Sequence, residues 1–233
     1  MNMLKRFTPQ VCLLGIICII ATFGYVKSEI IGVNADAYIN PTVIIDAGHG
    51  GFDGGASAKD GTVEKDINLS ISKKLCELLR FNGYNVIMTR DTDTGTEDDE
   101  TQPIPKRKKS DLVNRLQIMK DNPDAVFVSV HLNKFTTSAA SGAQVFYTKN
   151  YKEAYILAQS VQRSITSLIQ PENARVVKQG TDSTFLLKNA ATPAIIVECG
   201  FLSNGRDLEK LKDDEYQSQM AFAICAGIME FYK

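Results

Sequence analysis

The chain has 233 residues, 44% hydrophobic and 23% charged, with a formal net charge of −1. That balance suits one soluble domain with a full core plus a terminal appendage. A charge this close to neutral argues against a nucleic-acid partner, and it leaves no polybasic surface for a membrane.

At the amino end, Lys5 and Arg6 precede the apolar run VCLLGIICIIATFGYV from Val11 to Val26. This is the pattern of an export signal, intermediate in length between a signal-peptide core and the roughly 20 residues of a spanning helix. Cleavage and retention as an anchor both remain open, with an Ala-x-Ala pattern at Ala35 and Ala37 set rather far from the apolar core. Positive charge on the amino side places the rest of the chain outside the cytoplasm in either case. We assign residues 1–37 to a signal peptide or signal anchor with its linker, and 38–233 to the folded domain; contact with a membrane is expected only through that N-terminal segment.

Thr42 to Asp46 reads as the first strand, and four more follow at Tyr84 to Thr89, Ala125 to His131, Ala143 to Thr148 and Ala194 to Cys199, each rich in Val, Ile, Phe or Tyr. Between them Ile67, Ile71, Leu75, Leu78 and Leu79 recur at helical spacing, as do Leu112, Leu116 and Met119, and then Leu157, Val161, Ile165, Leu168 and Ile169. Leu208 and Leu211 mark a short helix, and Met220, Ala223, Ile224 and Ile228 a long closing one. The alternation predicts a single α/β domain: a mostly parallel, twisted central sheet with helices on both faces and right-handed crossovers. The acidic run Glu97 to Glu100 and the basic run Lys106 to Lys109 read together as a solvated loop leading into a helix.

The two histidines of the chain each end an apolar run, His49 in TVIIDAGHGG and His131 in AVFVSVHLN. A strand that breaks into glycines delivers its last side chain to the carboxyl edge of the sheet, where ligand sites of open α/β folds gather. Two imidazoles there suit a metal, and a catalytic zinc usually takes a third protein ligand while keeping one position open. Glu64, at the start of the helix carrying Ile67, is the candidate; taken alone it equally reads as a first-turn acid favoured by the helix dipole. Glu198 ends the apolar strand Ala194 to Val197, where an acid is costly unless used. It is the candidate general base, its plainer reading being a strand-end acid turned to solvent.

Of the five cysteines, Cys12 and Cys18 lie in the apolar run, and Cys76, Cys199 and Cys225 in the folded part, where an odd number cannot all pair. They read as buried free thiols. No CxxC pair is present, so a thiolate-type structural zinc is not expected. Arg90, Asn133 and Gln144 are weaker groove candidates, each with an ordinary structural reading at least as good.

DAGHGGFDGGA, the Glu64-Lys65-Asp66 helix start, SVHLN and VECGFLSN together resemble the zinc-dependent N-acetylmuramoyl-L-alanine amidases of the amidase-3 family, over about Thr42 to Tyr232. The resemblance implies zinc on His49, Glu64 and His131, with Glu198 as the catalytic glutamate. It implies hydrolysis of the amide joining N-acetylmuramic acid to L-alanine in peptidoglycan, with 38–233 as the catalytic domain. Within the family, NARVVKQGTDSTFLLKNAATPAIIVECGFLSN is most similar to the germination-specific spore-cortex amidases. That similarity implies a role in cortex maturation through muramic-lactam formation, on the cortex side of the forespore membrane, or else in cell-wall remodelling.

Between the second and third ligand segments lie only the acidic loop and one helix, so built-in autoinhibition of the kind found in some division amidases is not expected. No cell-wall-binding repeats are recognisable, which makes an accessory protein that localises or activates the domain an expectation. Other readings of the same residues are a zinc peptidase acting on stem peptides, a non-catalytic peptidoglycan-binding module, and a cysteine amidase using Cys199 or Cys76. The last lacks a free histidine to serve as its base.

Overall fold

The computed structural model describes residues 40–182 and 184–233. The export segment, its Ala-x-Ala pattern, Cys12, Cys18 and the start of the domain at 38 lie outside the described residues. Among the described residues no helix is long and apolar enough to cross a membrane.

The strands are β1 (Thr42–Ala47), β2 (Asn85–Met88), β3 (Val126–Asn133), β4 (Gln144–Tyr147), β5 (Lys178–Gln179) and β6 (Ala194–Phe201). The helices are α1 (Glu64–Phe81), α2 (Ile104–Asp121), α3 (Lys152–Leu168), α4 (Phe185–Asn189), α5 (Gly205–Lys212) and α6 (Asp214–Phe231). One six-stranded sheet has the order β2-β1-β3-β6-β4-β5. The pairs β1–β2, β1–β3, β3–β6 and β4–β5 are parallel, but β4 runs antiparallel to β6. Four of the five pairings are parallel, in line with the mostly parallel expectation, and the antiparallel β4–β6 pair makes the sheet a mixed one. Parallel neighbours need a crossover, usually a helix, and residues 134–143 between β3 and β4 contain none. The chain turns back there and adds β4 beyond β6 in the opposite sense.

Side-chain alternation along each strand builds two cores. Val43, Ile45, Val128, Val130 and Val197 face a cluster completed by Ile71, Leu75, Leu157, Val161 and Ile224 of α1, α3 and α6. Ile44, Phe127 and Ile196 face the other way, against Leu116, Met119, Leu186 and Leu187 of α2 and α4. Each such fully buried side chain contributes about 1.5–3 kcal/mol. The second core is the smaller one, and its face carries the site described below.

The two charge runs are not one solvated loop. Lys106 to Lys109 lie within α2, two residues after its first residue, and Arg107 pairs with the buried side chain of Glu97 at 2.5 Å. Asn114 donates to Asp98 Oδ1 at 2.7 Å, so the acidic segment is tied down onto α2. Further along that helix, Asp111 and Arg115 are buried. Their partners lie beneath the β1 loop.

Candidate active site

β1 leaves the sheet at Ala47 and enters a tight loop in which Gly50 and Asp53 exchange backbone hydrogen bonds at 2.9 and 3.0 Å. His49 is the one non-glycine residue with a left-handed backbone among those described, at φ 63°. Such a conformation costs on the order of 1–3 kcal/mol and persists where surrounding structure dictates it. Here the constraint is Arg115, which is 1% exposed. Its Nη2 donates to His49 O at 2.7 Å and Nη1 to Ala47 O at 3.0 Å. The charge is matched by Asp46, on Nη1, and by Asp111, on Nε at 2.8 Å.

The loop brings His49 to Glu64, the first residue of α1, and to His131 on β3. His49 Nε2 lies 3.3 Å from Glu64 Oε1, His131 Nδ1 lies 3.0 Å from the same oxygen, and the imidazoles meet edge to face with centroids 4.9 Å apart. One donor atom from each residue falls within 4.8 Å of the others. Donors around a tetrahedral zinc with bonds near 2.1 Å sit about 3.4 Å apart, so the cluster has the spacing and the two-imidazole, one-carboxylate donor set that such an ion takes.

Two glycines make room for it. A Cβ on Gly48 would stand 2.3 Å from His131 Nε2, and one on Gly55, where φ is +68°, would stand 2.6 Å from both Glu64 Oε2 and His49 Cδ2. Neither position accepts a side chain without displacing the cluster.

Supporting contacts hold Glu64 and His49 in place. Glu64 Oε2 accepts from Ala56 N at 2.8 Å, and Oε1 accepts from Leu132 N at 3.0 Å. Burial would raise its pKa, but the hydrogen bonds with His131 and His49 prevail and hold it well below the usual carboxylate range. His49 Nδ1 meets Asp53 Oδ2 at 2.9 Å, and Asp53 Oδ1 in turn accepts from Lys108 Nζ at 2.9 Å. A carboxylate on Nδ1 fixes the tautomer and aims Nε2 inward, as in many metal sites. Burial acts to lower the pKa of His49, yet Asp53 and Glu64 lift it to about 9, so a proton and a metal compete for Nε2.

Glu198 stands directly opposite His131 in the β3–β6 pair. Its Oε2 is buried without a hydrogen-bond partner, and burial, opposed by His131, pushes its pKa up to about 7. An orphaned carboxylate oxygen beside a metal-shaped cluster is what a proton-transfer group looks like before substrate arrives. A cavity of about 160 Å³ opens beside the two imidazoles, lined by His49, Asp53, Lys108, Leu112, His131 and Leu186 among others.

The four residues singled out in the sequence thus come together. Arg90 belongs elsewhere: it is buried and donates to Ala47 O, Gly48 O, Lys65 O and Thr92 O, bracing the loop from behind. Asn133 contributes its carbonyl to Leu202 N. Gln144 is opposite Glu198. Cys76, Cys199 and Cys225 are buried and unpaired, and burial raises the pKa of all three, so none of the thiols among the described residues is activated for attack. Sequence reasoning missed Asp53, Lys108, Asp46, Asp111 and Arg115. The signal for the last pair was an acid and a base four apart on the core-facing side of α2.

The family described as N-acetylmuramoyl-L-alanine amidase, Amidase_3, matches residues 43–230. A curated relative, the germination-specific N-acetylmuramoyl-L-alanine amidase of Bacillus subtilis, is 32% identical over 190 residues, covering 82% of this chain and 79% of its own. Among solved structures, the CwlD amidase of Clostridioides difficile, in complex with the GerS lipoprotein, is 40% identical with a TM-score of 0.79, covering 83% of this chain and 98% of that one. The amidase AmiC2 of Nostoc punctiforme is 31% identical with a TM-score of 0.70, over 82% of this chain and 97% of its own.

Proposed function

The chain belongs to the Amidase_3 family of N-acetylmuramoyl-L-alanine amidases, and from that premise we propose that it is a zinc enzyme in which His49, Glu64 and His131 hold the metal and Glu198 moves the protons. The activity is hydrolysis of the N-acetylmuramoyl-L-alanine amide in peptidoglycan. The observation that carries the residue assignment is the unpartnered Oε2 of Glu198 in the row next to His131.

A zinc ion bound by these three donors supplies Lewis acidity, polarising the amide carbonyl and making a water acidic enough to attack near neutral pH. The ionised carboxylate of Glu64, clamped by Ala56 N and Leu132 N, offers charge to the cation without moving. Asp53 holds His49 in the tautomer that presents Nε2. Glu198 takes a proton from the attacking water through Oε2 and passes it to the departing alanine nitrogen. A carboxyl whose pKa lies near 7 suits both transfers, since neither ionisation state is strongly favoured at the working pH.

We infer further that the wall substrate is spore cortex, supported by the identity with the germination-specific amidase and with CwlD. An accessory protein is supported by the lipoprotein bound to that CwlD neighbour. Residues 1–37 act in export, as signal peptide or anchor, and 38–233 form the catalytic domain.

The experiment is a digest of purified peptidoglycan in which every new amino terminus is identified. New L-alanine termini alone support the amidase. New termini from within the stem peptide would mean a peptidase, and none at all a binding module. Thiol reagents leave the rate unchanged if the cysteine reading is wrong. For the physiological assignment, cortex from spores lacking the protein would lose muramic lactam.

A further inference from the structure

The row of side chains that starts at the metal-binding cluster continues past Glu198. Gln144 is directly opposite Glu198 in the antiparallel β4–β6 pair, and Glu198 is opposite His131, so the three side chains share one face at the carboxyl edge of β3 and β6. Gln144 is 4% exposed. Its Nε2 donates to Val176 O at 2.8 Å, which leaves its Oε1 to accept from Arg175 Nη1 at 3.0 Å. Arg175 Nε donates to Ser141 O at 2.7 Å, and its guanidinium lies over the ring of Phe201 at 4.7 Å from the centroid.

Those contacts orient the guanidinium fork without neutralising it. Among the described residues two of its five N–H groups are engaged, both with neutral oxygens. Among the described residues no carboxylate pairs with it, although Glu172 and Asp207 line the same polar cavity of about 360 Å³. Asp207 instead accepts from Gly142 N and Phe201 N at 2.9 Å each, and Glu172 faces Lys210 at 3.7 Å. An arginine held by neutral partners, with its remaining donors unspent, is built to receive an anion.

We propose that Arg175 is a substrate-recognition residue that binds a free carboxylate on the peptide side of the scissile amide. The assignment rests on the amidase reading. Glycan hydroxyls and acetamides are neutral, whereas the stem peptide carries carboxylates, and only those match a guanidinium fork in charge and shape. Reach favours the second stem residue. Directly opposite residues have Cβ atoms about 5 Å apart, and the fork lies one hydrogen bond beyond Gln144, about two residues of extended chain at roughly 3.4 Å each from Glu198. Gln144 is then a positioning residue that aims the fork.

The test compares the zinc-loaded wild type with Arg175→Gln and Arg175→Lys on two muramoyl peptides. They differ only in whether the second stem residue, glutamate, has a free α-carboxylate or a carboxamide there. Wild type prefers the carboxylate about 10- to 100-fold in kcat/KM, mostly through KM. Arg175→Gln removes the preference by slowing the carboxylate substrate alone, and Arg175→Lys restores part of it. Calorimetry of the released peptides, which no longer carry the scissile amide, with the zinc-loaded protein shows the same discrimination without turnover. Equal losses on both substrates would overturn the proposal and make Arg175 a brace for its segment, as would no loss on either. If wild type cleaves neither peptide, the amidase reading fails, and calorimetry still decides separately whether the carboxylate is recognised.

Discussion

Replacing Arg115 by Met removes the cation beneath the site and leaves Asp46 and Asp111 buried without their ion-pair partner, with Arg90 acting on both of them only at longer range. Asp46 keeps hydrogen bonds from Ser129 Oγ at 2.5 Å and Thr89 Oγ1 at 2.8 Å, which soften the loss but carry no charge. Removing one partner of a buried ion pair costs about 3–5 kcal/mol. For a domain of this size each kcal/mol moves the melting midpoint by about 2–4 °C, so Arg115→Met should melt roughly 6–20 °C below wild type. The loss should depend on pH. Burial pushes the Asp46 pKa up, but Arg115, with Ser129 and Thr89, pulls it below its ordinary value. The stability that the ionised pair contributes is therefore present above the unfolded carboxylate range, near 3.9, and is lost as pH falls through the lower folded value. Without the arginine, burial acts on Asp46 unopposed by that cation and its pKa rises. The variant is then penalised most near neutral pH, and its gap from wild type narrows toward about pH 4–5. Adding Asp46→Asn to Arg115→Met should recover part of the loss, since the orphaned charge is gone. Thermal melts across that pH range are the assay. A penalty under about 1 kcal/mol, or one that does not change with pH, would refute the reasoning, because the pair would then lack the burial claimed for it.

Gly48→Ala forces a Cβ to within 2.3 Å of His131 Nε2, so the variant should fold with a displaced imidazole and fail to retain zinc after gel filtration, as metal analysis would show. Asp53→Asn takes the carboxylate from His49 Nδ1 and should weaken metal affinity about 10- to 100-fold, read by competition with a chromophoric chelator; unchanged affinity would mean that Asp53 only shapes the loop. The pH–rate profile should rise as Glu198 ionises, with an apparent midpoint at or below the value near 7 set by burial, because a bound cation favours the charged form. A profile flat from pH 4 to 8 would remove Glu198 from the proton-transfer role.

The strands and most helices were legible because their apolar residues repeat with clean periods, as Ile67, Ile71 and Leu75 do on α1. The reversed β4 was not, since direction comes from a connection without a helix and not from the composition of the strand itself. Lys178–Gln179 and Phe185–Asn189 are too short to show a period at all. His49, His131, Glu64 and Glu198 stood out as costly residue types at the ends of apolar runs or the start of a helix. Asp53 and Arg115 did not, because a charged residue in a glycine loop or on a basic helix looks solvated until the fold half-covers the one and buries the other. Arg175 was invisible for a different reason: its meaning comes from Gln144, whose place opposite Glu198 is a matter of register between distant segments.

The most direct test of the account strips the metal from residues 38–233 and titrates zinc back while measuring release of L-alanine amino termini from peptidoglycan, in wild type and in Glu198→Gln. Release should return with the first equivalent of zinc in wild type, while the variant binds the same equivalent and stays at least about 100-fold slower, the low end for a lost general base. Full activity without metal, or an active Glu198→Gln, would contradict it.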